Sequence, residues 1–224
     1  MSQKGNVFFL SLWFGCSILF SIALNAAGGH EEDKASLQRG ARIFMNYCAG
    51  CHSLKYLRYN DMASGLGFSQ FNGKISEKLL KNNLIFTQST IHDPIRIALP
   101  PEDAKQWFGI VPPDLSLIAR EKGSTWLYDY LNGFYRDDSR PFGTNNRVTP
   151  DVAMPNILET LNHDIPEHDW NTHLQDLVGF LVYVGEPIQS QRYHIGYFVI
   201  GFLFVFFLAA LGLKAVYWRK NGIK

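Results

Sequence analysis

Cys48 and Cys51 are separated by two residues, and His52 follows directly, in the run Cys48-Ala49-Gly50-Cys51-His52. Two thiols at this spacing meet the two vinyl groups along one edge of a porphyrin, each forming a thioether. The adjacent imidazole turns beneath the ring and offers a nitrogen to iron. The pattern is that of covalent haem c attachment, and it carries more weight in an exported chain than in a cytosolic one. The third and last cysteine, Cys16, lies in an apolar N-terminal run, so the exported part has no cysteine pair left over for a disulfide.

An iron held by His52 needs a second axial ligand if it only carries electrons, whereas an open position suits ligand binding or catalysis. Three methionines follow the N-terminal run. Met45 stands three residues before Cys48 on a helical face and reads as core. Met62 sits in a polar, turn-rich stretch. Met154 stands in Asp151-Val152-Ala153-Met154-Pro155-Asn156, 102 residues after His52, so the chain can wrap a cofactor before reaching it. Pro155 biases the residue before it toward extended backbone, which suits a thioether presented from a stiff loop. His92, His163, His168 and His173 compete with it, while His30 lies near the start and His194 at the membrane boundary. The choice has a consequence, because a thioether favours reduced iron and raises the potential relative to two imidazoles.

Two apolar segments place the chain. The first runs from Asn6 to about Leu24, preceded by Lys4 and closed by the small residues of Ala23-Leu24-Asn25-Ala26-Ala27. It reads as a secretory signal over 1–27; an uncleaved anchor is the other reading. The second, Ile195 to Leu213, holds 19 residues without a formal charge, about the length that spans a bilayer core. Tyr193, Tyr197, Tyr217 and Trp218 flank it as interfacial aromatics, and Lys214 is close enough to the end to snorkel. Arg219, Lys220 and Lys224 put the tail, 218–224, in the cytoplasm by the positive-inside rule. The spanning helix is expected over 193–217 and the exported domain over 28–192, outside the cytoplasmic membrane. Sixteen of the 21 Lys and Arg and all 20 Asp and Glu fall in that domain, giving it a charge of about −4. Such a charge can steer a cationic partner, and ordinary solubility is the other reading.

Within the domain, Leu37, Ala41, Phe44, Met45 and Cys48 repeat at helical spacing over 35–50, and Trp170, Leu174, Leu177, Val178 and Leu181 do so near the other end. Gly40, one turn before Phe44, permits close approach of another helix. Shorter helices are expected over Ser76–Asn83, Asp103–Trp107 and Thr125–Asn132, with another beginning in Asp114–Ala119. Tyr59-Asn60-Asp61 reads as a turn, Ser64–Gly73 as a loop, and Asp137–Thr149 as a long loop. The chain has no internal repeat, nucleotide-binding glycine loop or HExxH motif.

Four strings, in order, resemble the cytochrome c1 family: CAGCHSLKYLRYN at 48–60, WFGIVPPDLSLIAR at 107–120, WLYDYLNGFYRDDSRPFGTNNR at 126–147 and DVAMPNILETL at 151–161. The resemblance implies a mainly α, class I-like c-type cytochrome domain with extended loops and one C-terminal transmembrane helix. It carries Cys48 and Cys51 to attachment of one haem c, His52 to proximal ligation and Met154 to distal ligation. It points to a backbone carbonyl of Pro112 or Pro113 on the other ring N–H of His52. It makes Arg120 and Lys122 candidates beside the propionates, with Trp126, Tyr128 and Tyr130 around the cofactor or in the core. It also implies a homodimeric ubiquinol–cytochrome c reductase (bc1) complex in the inner membrane. There cytochrome b and the Rieske iron–sulfur protein oxidise quinol, the Rieske centre is the donor and a cytochrome c the acceptor. Membrane lipid is a further partner, and no nucleic acid partner is implied. A haem enzyme with an open iron site, and a tethered cytochrome outside a quinol complex, are the other classes one attachment motif allows. Met154-Pro155 argues against the first and the four strings against the second.

Overall fold

A computed structural model describes residues 33–68, 74–164 and 166–220. The segment read as a signal, with Cys16 and His30, lies outside these residues. The chain divides into two units, one holding residues 32–187 and the other containing 188–224.

The first unit is built on two helices. α1, Lys34–Ile43, starts where the Asp33 carboxylate accepts from the Ala35 N–H at 3.0 Å, satisfying one of the donors a helix start leaves unpaired. α8, Glu167–Gly185, is the longest helix of this unit. The buried face of α1 (Leu37, Gly40, Ala41, Ile43) lies against that of α8 (Leu174, Leu177, Phe180, Leu181), and the rings of Phe44 and Phe180 are 5.6 Å apart. The helix expected over 35–50 does not stay regular. From Phe44 to Cys48 it loosens into a π-turn, closed by the Ala49 N–H on the Phe44 carbonyl at 2.9 Å. Single π-turns of this kind recur at functional sites.

Between the two helices come β1 (Leu54–Arg58), α2 (Tyr59–Gly65), α3 (Glu77–Asn83), β2 (Pro94–Ile95), α4 (Pro101–Phe108), α5 (Ile118–Lys122), α6 (Ser124–Asn132), β3 (Phe134–Arg136), β4 (Thr144–Asn146) and α7 (Glu159–Asp164). β1 and β2 pair antiparallel, as do β3 and β4, the latter with Phe134 opposite Asn146 and Arg136 opposite Thr144.

Two expectations are corrected. Tyr59-Asn60-Asp61 opens a helix rather than a turn, because Tyr59, Met62, Ala63 and Leu66 fall on one face and are fully buried. The stretch 137–149 is not loop throughout: Thr144–Asn146 returns as a strand, and the Asp137–Gly143 reversal closes through the Asp137 N–H on the Gly143 carbonyl at 2.9 Å. The helix expected to begin within Asp114–Ala119 starts at Ile118. Asp114–Leu117 is held first by an Asx turn, the Ser116 N–H donating to Asp114 Oδ1 at 3.0 Å.

In the second unit, α9 runs Gln189–Lys220, and its 30-residue stretch Gln189–Trp218 contains an 18-residue window of mean hydropathy 2.5. At 1.5 Å per residue it reaches about 45 Å, longer than a hydrocarbon core of about 30 Å. Its apolar residues are exposed in the isolated chain, so lipid or a protein partner must cover them. Lys214 Nζ lies 4.4 Å from the Trp218 ring, and Arg192 lies 4.6 Å from that of Tyr193.

Candidate haem site

The π-turn delivers Cys48 at its last position. The chain then tightens: the N–H groups of Cys51 and His52 both donate to the Cys48 carbonyl, at 3.0 and 2.8 Å. Both thiols are free, Cys48 buried and Cys51 partly so. Burial pushes the Cys48 thiol up to about 12 and raises Cys51 too, so each stays protonated at neutral pH.

His52 is 9% exposed. Its Nδ1–H donates to the Pro113 carbonyl at 2.7 Å. Of the two prolines, Pro113 therefore supplies the contact, with Pro112 its neighbour in the chain. A carbonyl accepts only, so the proton is fixed on Nδ1 and Nε2 keeps its lone pair for a metal. Burial also lowers the His52 pKa, against the opposing pull of the Pro113 carbonyl and Asp114, which favours the neutral, ligating form. The Pro113 segment is tied to the attachment loop along its length. The Leu115 N–H reaches the Ser53 carbonyl at 2.9 Å, the Lys55 N–H reaches Asp114 Oδ2 at 2.9 Å, and the Tyr56 N–H reaches Ser116 Oγ at 3.2 Å.

Met154 is half-buried, and the Tyr130 hydroxyl on α6 donates toward its sulfur at 3.6 Å. Burial raises the Tyr130 phenol to about 12, so it is a neutral donor. Its ring is held between Trp126, stacked at 5.0 Å and 12°, and the edge of Phe134 at 5.5 Å.

The loop ahead of Met154 is fixed by a knot that sequence reading missed. Asn145 Oδ1 accepts from the N–H groups of Asn146 and Asp151, both at 2.9 Å. Asn146 Oδ1 accepts from Val148 and Thr149, and its Nδ2 donates to the Tyr130 carbonyl at 2.7 Å. Asp151 takes a left-handed φ of 62°, which Asp tolerates better than most residues, and Arg140 pairs with its carboxylate at 2.9 Å. The signal was the Asn145-Asn146 pair itself, two side chains apt to bond nearby backbone.

The other candidates lie elsewhere. Met45 and Met62 are buried in the core, and Met62 is 0% exposed. His92 and His163 are exposed, and His173 Nδ1–H donates to the Asp169 carbonyl of its own helix at 2.7 Å. His194 is on α9 with its ring 5.1 Å from Phe198, and the His168 side chain lies outside the described residues. Arg120 pairs with Glu186 at 3.2 Å and Lys122 with Glu121 at 3.0 Å; Lys122 also lies 5.8 Å from the Trp126 ring. Tyr128 donates to Asn171 Oδ1 at 2.8 Å, a bond between α6 and α8.

The donor set suits a covalently held haem: two protonated thiols at vinyl spacing, a buried imidazole with its outer nitrogen committed, and a thioether on a braced loop. A mainly helical domain that opens on such a turn, in a chain that also carries an apolar helix long enough to cross a bilayer, is the build of a membrane-anchored c-type cytochrome. The profile of the Cytochrome C1 family matches residues 27–221. The chain is 40% identical to a cytochrome c1 of Allochromatium vinosum, over 90% of this chain and 95% of that protein. It is 35% identical to the ammonia monooxygenase gamma subunit of Nitrosomonas europaea, over 88% of each, and 28% identical to a mitochondrial cytochrome c1 of Arabidopsis thaliana, over 84% of this chain and 66% of that protein. The chain belongs to the cytochrome c1 family, the haem c-bearing electron-transfer subunits of the respiratory bc1 complex.

Proposed function

We propose that this chain takes single electrons from a Rieske iron–sulfur protein and passes them to a cytochrome c, through one haem c on Cys48 and Cys51 with His52 and Met154 as axial ligands. The observation that carries the reading is the His52 Nδ1–H bond to Pro113, which leaves a neutral imidazole with its Nε2 lone pair available to iron. When bound, the haem supplies the reversible ferric–ferrous couple. The protein's part is to orient His52, hold Met154 and limit water around both. No acid–base side chain is required. Arg120 and Lys122 stand exposed on α5, paired with Glu186 and Glu121, and in this reading one of them would pair with a haem propionate.

In this reading α9 anchors the subunit beside cytochrome b in a homodimeric complex, with the haem domain on the periplasmic side and the C-terminus in the cytoplasm. Residues 1–27 act as the export signal. Replacing Met154 with Ala is expected to abolish the low-spin His/Met spectrum and sharply lower the potential; unchanged spectra would remove Met154 from the iron. The likeness to the monooxygenase gamma subunit favours a second reading, electron delivery within a monooxygenase assembly. Purification of the native complex separates the two: cytochrome b and a Rieske protein accompany the chain in the first, monooxygenase subunits in the second.

A further inference from the structure

A thioether sulfur has two lone pairs, and ligation uses one. The Tyr130 hydroxyl points at this sulfur from 3.6 Å, within reach of an acceptor as large as sulfur. The phenol has little freedom to turn away. Trp126 covers one face of its ring, Phe134 meets it edge-on, and Asn146 holds its backbone carbonyl. Met154 is the hydrogen-bond partner of this hydroxyl among the described residues.

We infer that Tyr130 is a positioning residue that raises the reduction potential of the haem by donating its O–H to the second lone pair of Met154. The inference rests on Met154 being the sixth ligand. Two effects act in the same direction. A hydrogen bond withdraws electron density from sulfur, and the ferric iron depends on that density more than the ferrous iron does. The O–H dipole also presents its positive end toward the metal, which disfavours the more positive oxidation state. Outer contacts of this kind orient a ligand and tune its metal. A thioether is a weak acceptor, so the effect belongs at the low end for a neutral hydrogen bond. The expected size is about threefold in the ratio of reduced to oxidised haem, or about 28 mV at about 59 mV per decade for one electron.

The test is redox titration of the membrane-extracted complex carrying Tyr130→Phe, Tyr130→Leu or Met154→Ala, with the sulfur-to-iron charge-transfer band recorded for each. Tyr130→Phe keeps the stacked ring and loses only the hydroxyl. A lower potential in Tyr130→Phe with the band retained supports the inference. An unchanged potential in Tyr130→Phe, with a change only in Tyr130→Leu, reduces Tyr130 to packing and overturns it while Met154 remains the ligand. A Met154→Ala protein with an unaltered spectrum overturns the ligand assignment and this inference together. If Tyr130→Phe does not assemble with haem, the ferrous wild-type protein decides. A nuclear Overhauser contact between the phenol proton and the Met154 methyl supports the bond, and its absence overturns it.

Discussion

Gly40 of α1 lies against Asp176 of α8 so closely that a methyl group on Gly40 would stand 2.0 Å from the Asp176 carbonyl oxygen and 2.7 Å from Phe180 Cβ. The obstruction is helix backbone, which cannot swing aside as a long side chain can. The same crossing is pinned by the Asp176 carboxylate, whose side chain is 4% exposed. It accepts from Arg39 at 2.6 and 3.0 Å and from Ser36 at 2.5 Å. The Arg39 guanidinium is raised in pKa, chiefly by its hydrogen bond to Asp176.

Gly40→Ala must therefore push α1 from α8 despite the better helix propensity of Ala. A cost of about 3 kcal/mol is expected, at the upper end for overpacking. Gly179 on α8 is the control. A Cβ there meets nothing within 4 Å, so Gly179→Ala should stabilise by about 0.5–1 kcal/mol through helix propensity. Denaturant unfolding of the haem-loaded protein followed by circular dichroism measures both. Equal effects at the two positions would contradict the close crossing.

Acid should loosen the loop ahead of Met154 through Asp137. Its carboxylate accepts from the Ser139 hydroxyl, Asn145 Nδ2 and the Ser139 N–H, and these bonds, in that order, hold it below the usual carboxylate range. A depressed folded pKa gives stability that is complete above the unfolded value, about 3.9, and is lost as pH falls through the lower folded value. Protonation takes an acceptor from Asn145, which also holds the Asp151 N–H three residues before Met154. Acid titration of the charge-transfer band should show a loss below about pH 4 in the wild type. In Asp137→Asn the band should be less resistant to denaturant at neutral pH, and the acid-dependent part of that resistance should shrink. An unchanged pH dependence would separate Asp137 from the loop.

The helical faces of α1 and α8 were legible because each repeats apolar residues at three and four, from Leu37 to Cys48 and from Trp170 to Leu181. The Cys48–His52 turn was legible because C-x-x-C-H is the spacing that covalent haem attachment would require. Both are local patterns. What escaped was decided across the chain. Met62 and Tyr59 looked polar-context residues until the fold buried them together on α2. The π-turn gives no periodic signal of its own, since its residues continue the spacing of α1. Asn145 and Asn146 sit in a stretch rich in turn formers, and only the meeting of β3 with β4 turns their amides into anchors. Tyr130 reads as one aromatic among several. Its relation to Met154 spans 24 residues and depends on the loop that Asn145 and Asn146 hold.

Asn146 is where these constraints meet, and two substitutions divide its roles. Asn146→Ala removes the acceptor of the Val148 and Thr149 N–H groups and the donor to the Tyr130 carbonyl. The site is 1% exposed, so water cannot readily replace them, and stranded polar groups of this kind cost about 1–3 kcal/mol. Asn146→Asp keeps an oxygen for the two loop N–H groups and, ionised at neutral pH or above, loses the donation to Tyr130 while burying a charge. With Met154 on the iron as proposed, and if the loop bonds dominate, added imidazole should displace it far more readily in Asn146→Ala than in Asn146→Asp. If the Tyr130 bond dominates, the two variants should respond alike, and both should show the lower potential expected of Tyr130→Phe. Imidazole titration of the ferric charge-transfer band, alongside the midpoint potential, reads both outcomes. Wild-type behaviour in both variants would show that the distal loop is held by Arg140 and Asp151 without Asn146.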